Sequence, residues 1–270
     1  MQTIRMFGNF IMALWLRRHM IIELARRDFK TKYLGSYLGI LWAFLHPAIY
    51  IVILWFVFQI GFKSRPHAEY PFILWLLCGI TPWFFFSESL QRASMSIIES
   101  KFLLKQVVFN LSMLPIVRIL SALVIHFFFI VAVFVMVFLY QFTITLHSLQ
   151  VFYYLLATIV LLLGISWLTS SLVVFLRDVN HLVSVVLQFG FWFTPIFWSA
   201  DILTAKYAKL VKLNPVFYLV EGYRESFLYK TWFWQSHLLL TVYFWAVTGM
   251  IFVVGAIVFR RLRPHFADVL

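Results

Sequence analysis

HLVSVVLQFGFWFTPIFWSADILTAKYAKLVKLNPVFYLVEGYRESFLYKTWFW, residues 181–234, opens as an apolar, aromatic run and never settles into a plain helix–loop–helix pattern. Pro195 lacks an N–H and stops or kinks a helix at Thr194-Pro195. Asn214-Pro215 is a turn or helix-start signal. After it comes a half-apolar segment holding Glu221, Arg224 and Glu225. This pattern predicts a membrane helix that stops short, followed over 199–235 by helices that dip back towards the lipid. Broken backbone at membrane depth is tolerated only where protein or a water-filled cavity surrounds it. Two readings stand for the stretch: one end of a translocation path, or an interfacial hairpin that caps a bundle.

Outward from this stretch, composition sets the class. Of 270 residues, 63% are hydrophobic and 12% charged, with a mean hydropathy of +0.93. A soluble domain is nearer half apolar and a quarter charged, so the chain reads as an all-α, polytopic membrane protein. Spans of about 20 apolar residues are expected at 37–62, 70–90, 114–140, 150–176, 182–198 and 236–259, six in all, within a single domain. The lone Cys78 excludes an intrachain disulfide and offers no metal cluster. The net charge of +12 fits basic flanks of membrane spans better than a nucleic-acid partner. The first apolar run, 10–16, is followed by Arg17-Arg18-His19 rather than a small-residue cleavage site, so no signal peptide is expected.

Residues 17–32 predict an interfacial helix. At about 100° per residue, His19, Glu23, Arg26, Arg27 and Lys30 fall on one side, and Ile21, Leu24, Ala25 and Phe29 on the other. A basic amphipathic helix of this kind lies along a membrane surface. Asp28 falls near the centre of the apolar side. Either it meets a basic group of another helix, because a buried carboxylate needs a partner, or the helix is rotated so that Asp28 is wet. Glu88 and Arg118 lie near neighbouring span ends and either pair or reach to the interface. The Gly35–Gly39 spacing, GxxxG, permits close helix packing.

Lys and Arg are unevenly distributed. One set of loops and tails holds fourteen and the opposite set seven. The positive-inside rule therefore predicts both termini in the cytoplasm and 199–235 outside. The chain has no Walker A, HExxH, CxxC or GxSxG pattern. It is not expected to be catalytic alone or to bind a cofactor or metal. Aromatic residues make up 20% of the chain. Phe189, Phe193 and Phe197 recur at helical spacing beside Trp192, and Trp83 and Phe84 open a continuous run. Such a stripe serves packing or lipid contact, or forms a smooth wall along which sugar rings slide.

Several segments, in this order, carry a resemblance: Arg27-Asp28, 32-KYLGSYLGILW-42 with Pro47, Tyr70-Pro71, 79-GITPWFF-85, Leu114-Pro115, 177-RDV-179, 194-TPIF-197, 213-LNP-215 and 221-EGYR-224. Together they resemble the membrane subunits of ABC-2-type exporters, specifically the polysaccharide and polyol-phosphate permeases that handle O-antigen, capsule and teichoic-acid chains. One departure is Phe109-Asn110, where the family often has Phe-Pro, which blurs where the coupling helix ends.

The resemblance implies a permease subunit of an ATP-driven exporter in the bacterial inner membrane. It implies a homodimer with two copies of a separate ATPase that uses ATP and Mg, and a polyprenyl-diphosphate-linked polysaccharide, foremost O-antigen, as cargo. The 17–32 helix becomes a cytoplasmic gate helix whose Arg26, Arg27, Lys30 and Lys32 attract the pyrophosphate, or merely bind anionic lipid. The connector around 98–108 becomes the coupling helix, with Glu99, Lys101, Phe102 and Lys105 facing the ATPase. Trp83, Phe84, Phe189, Trp192, Phe193 and Phe197 become channel aromatics, and Pro195, Pro215, Glu221 and Arg224 belong to the periplasmic gate. The alternatives are an ABC-2 exporter of a small molecule or another lipid-linked glycan, and a membrane glycosyltransferase or acyltransferase.

Overall fold

A computed structural model describes residues 12, 15–33, 37–63, 70–101, 110–236 and 238–270. The described residues are predominantly helical, without a strand. Helix α1 is Arg18–Tyr33, followed by α2 (Trp42–Trp55), α3 (Phe72–Ser94), α4 (Leu114–Leu139), α5 (Gln150–Phe175) and α6 (Asp178–Phe193). Two shorter helices, α7 (Ala205–Lys212) and α8 (Pro215–Arg224), precede the final long helix α9 (Leu238–Leu262). One-turn helices at Ser96–Glu99 and Phe233–Ser236 join α3 and α9 to their preceding or following segments.

Among the described residues, five helical stretches are long and apolar enough to cross a membrane: Gly39–Gly61, Phe72–Ser94, Leu111–Leu139, Leu146–Phe175 and Leu238–Val269. The first four fall within about four residues of predicted spans, and the last runs on to Val269, well past the predicted end at 259. The stretch predicted as a span over 182–198 behaves differently. It forms the 16-residue α6, roughly 24 Å long at 1.5 Å per residue and shorter than a hydrocarbon core of about 30 Å. Thr194 leaves helical geometry with ψ 133°, as a residue before proline must.

The bundle is built around α3. In α3, 78% of the span is buried inside the subunit, against 17% for the Gly39–Gly61 span. Leu74, Trp75, Leu76, Cys78 and Ile80 are at its centre, all buried. α5 and α9 cross at two glycines. A Cβ at Gly255 would overlap the Gly164 carbonyl oxygen, and one at Gly164 would come within 2.7 Å of the Phe252 Cα. Only hydrogen side chains let these backbones meet. The Gly35 half of the predicted GxxxG lies outside the described residues, and Gly39 opens the turn into α2 with φ 50°.

α1 packs on the start of α4. Ile21, Ala25 and Phe29 are buried, Ile21 and Ala25 joining Met113 and Val117 in a small cluster, while His19, Glu23, Arg26, Arg27 and Lys30 are exposed. The predicted amphipathic division of this helix is therefore the observed one.

Candidate translocation site

The end of the bundle that holds α1 is tied together by charge. The Asp28 side chain is 9% exposed. Its Oδ2 accepts from Arg92 Nη2 at 2.6 Å, and its Oδ1 from Arg118 Nη1. Of the two sequence readings of Asp28, the structure selects the buried, paired one. Arg118 uses its other nitrogen, Nη2, to donate to Glu99 Oε2 at 2.7 Å. One turn after Asp28, Lys32 pairs with Glu88. Glu88 and Arg118 thus each pair with a residue of α1 rather than with each other.

Next to this network is a cleft of about 750 Å³ between the end of α1, α2, α3, α4 and the first turns of α6. Lys32, Glu88 and Gln91 contribute polar lining, and Trp42, Phe84 and Phe129 contribute ring faces. Gln91 and Ser94 fix the start of α6 by bonding Asn180 Oδ1, each at 3.0 Å, and Ser184 donates to Gln91 Oε1 at 3.0 Å. A cleft with hydrogen-bonding groups beside aromatic faces can hold an amphipathic ring. His126 also lines it and exchanges a 2.8 Å hydrogen bond through Nε2 with Tyr223 on α8.

At the opposite end, α8 is buried against α3 and α5. Asn214 caps it, accepting from Val216 N at 3.0 Å, and Pro215 occupies the first turn, where its missing N–H costs nothing. Asn214 Nδ2 also donates to Thr194 Oγ1 at 2.8 Å, which anchors the break after α6. Arg224 is 1% exposed. Its guanidinium lies 3.4 Å from the Trp75 ring centroid, donates to the Ile196 carbonyl at 2.7 Å, and pairs with Glu221 at 3.1 Å. Gly79 makes room for it, since a Cβ there would be 2.6 Å from Arg224 Nη2. Tyr154 donates to Glu225 Oε2 at 2.9 Å. Burial pushes the Tyr218 and Tyr223 phenols above their ordinary value, so both work as neutral hydrogen-bonding groups.

The predicted site residues divide accordingly. Arg26, Arg27 and Lys30 are exposed on α1, Arg26 pairing with Glu23 at 3.3 Å. Lys32 is engaged with Glu88 at the cleft. Glu99 faces Arg118, and Lys101 is exposed. Phe102 and Lys105 lie outside the described residues. Phe189 and Trp192 stand on the open face of α6, 66% and 54% exposed, and Phe189 stacks on Phe193 at 5.4 Å. Trp83 and Phe197, expected in the same wall, instead pack inside the subunit around Phe191. Phe197 leaves the stripe because the helix ends at Phe193. Phe84 is half-buried and lines the cleft. Trp75, Tyr154 and Arg92 complete these networks and carry no motif that marks them in the sequence. For Trp75 the one signal is Arg224 itself, a lone arginine in a half-apolar segment, which favours an aromatic face.

The long apolar helices define a multi-pass membrane protein. The family model "ABC-2 type transporter" matches residues 20–228, and the chain belongs to that family. Over 93% of its length it is 27% identical to an O-antigen export system permease protein RfbA of Klebsiella pneumoniae, covering 95% of that protein. It is 25% identical to the protein of the same name from Myxococcus xanthus, over 96% of this chain and 98% of the relative. The match supports a transport subunit rather than a catalytic enzyme.

Proposed function

We propose that this chain is the membrane-spanning permease of an ATP-driven exporter that moves a lipid-linked polysaccharide of the O-antigen type across the bacterial inner membrane. The observation that carries the proposal is the near full-length similarity to permeases named for O-antigen export. Two permease copies pair in the membrane, and two copies of a separate ATPase, which binds ATP and Mg, dock at the connector around 98–108. α6 with the bent 194–198 segment completes a sixth crossing, and α7 and α8 dip back from the periplasm as its gate. Both termini face the cytoplasm.

In this reading α1 lies along the cytoplasmic interface. Its exposed Arg26, Arg27 and Lys30 draw in the pyrophosphate, as basic groups attract anionic headgroups. The cleft beside Lys32 offers ring faces and hydrogen-bonding groups to the first sugars. Phe189 and Trp192, exposed on α6, supply part of the channel wall. ATP binding in the partner moves the connector and opens the path outwards.

Deleting the gene tests this. The expected result is full-length lipid-linked polymer held on the cytoplasmic side of the inner membrane. Normal surface polymer without build-up would overturn polysaccharide export, and shortened or altered polymer on the outer side would indicate an enzyme instead.

A further inference from the structure

We propose that Arg118 is the positioning residue that passes a displacement of the connector to the gate helix α1. The inference rests on the exporter reading above. Three observations carry it. Arg118 contacts two different acids through two different nitrogens, Asp28 on α1 through Nη1 and Glu99 at the start of the connector through Nη2. Its side chain is 15% exposed, so the contacts are shielded from solvent at the Asp28 side. α1 is pinned again one turn on, where Lys32 meets Glu88.

A guanidinium is a rigid planar fork. Two carboxylates bound to its separate nitrogens are held at a fixed separation and in one plane. When Glu99 shifts, the plane turns and Asp28 must follow or lose its bond. Arg92, on the other Asp28 oxygen, keeps that movement tied to the end of α3. α1 therefore travels with the connector instead of sliding on the apolar patch formed by Ile21, Ala25, Met113 and Val117. A lysine at 118 would keep the charge balance but would end in one rotatable nitrogen, which fixes neither separation nor direction.

The test uses the permease–ATPase complex in vesicles loaded with lipid-linked polymer, and reads polymer exported per ATP hydrolysed together with the amount of ATPase that co-purifies. Arg118→Lys is expected to assemble and hydrolyse ATP while export per ATP falls roughly 5-fold or more, the range of ordinary inter-site coupling. Glu99→Gln, at a half-exposed site that leaves Asp28 paired, should give a similar fall in export per ATP, read on the complex that forms. The double variant should be no worse than either single one, since both cut the same link. An unchanged ratio in either variant, or additive effects, would overturn the proposal. A wild-type complex that exports no polymer would overturn the exporter reading instead.

Discussion

Replacing Arg224 by alanine would leave the Glu221 carboxylate and the Ile196 carbonyl without their donor and strip the Trp75 face of its cation. Removing one partner of a buried ion pair costs about 3–5 kcal/mol. Arg224→Ala is therefore expected to lower the thermal midpoint of the purified protein sharply. Arg224→Lys should recover only part of that loss, since an ammonium cannot make the same planar contact with Trp75 while reaching Ile196. A midpoint within a degree of wild type for Arg224→Ala would show that the network does not hold α8 in place. Asp28 follows the same logic at the other end of the bundle. The wheel of residues 17–32 put this carboxylate on the apolar side and left it either paired or wet. It could not reveal which, because Arg92 and Arg118 lie 64 and 90 residues further along the chain.

Among the elements, the break between α6 and α8 depends on Asn214. This side chain both caps α8 and ties down Thr194. Asn214→Ala removes both bonds and should cost about 1–2 kcal/mol. Asn214→Asp keeps an acceptor for Val216 N and loses the donor to Thr194, so its loss should be smaller. Unfolding midpoints of the two variants, measured side by side, separate the cap from the tie. Equal losses would mean that the cap contributes nothing. Pro195 and Asn214-Pro215 were legible as boundaries because proline acts on its own backbone and that of its neighbour. The early stop of α6 was legible for the same reason, although the apolar run continues through Ile196-Phe197-Trp198 and hydropathy alone carried the expected span on to 198.

For the whole molecule, the uneven Lys and Arg distribution predicts opposite sides for α7 and the C-terminal tail. Cys78 is buried, so single-cysteine reporters face little background. Asp268→Cys in intact spheroplasts should resist a membrane-impermeant maleimide, and Lys209→Cys should react. Both positions are exposed. The reverse labelling pattern would invert the topology and place α1 outside, away from any ATPase.

The amino-acid sequence by itself determined that this protein spans a membrane, where its long helices fall, and that α1 is two-faced with an acid on the wrong side. These are properties of local composition and periodicity, set by residues within a few turns of one another. The tertiary structure alone decided that Asp28 meets two arginines, that Glu99 shares one of them, and that Trp83 and Phe197 turn inward while Phe189 and Trp192 stay open. In a chain that is apolar nearly all round, hydrophobicity does not distinguish a face against lipid from a face against protein. Only the close approach of helices distant in sequence makes that assignment.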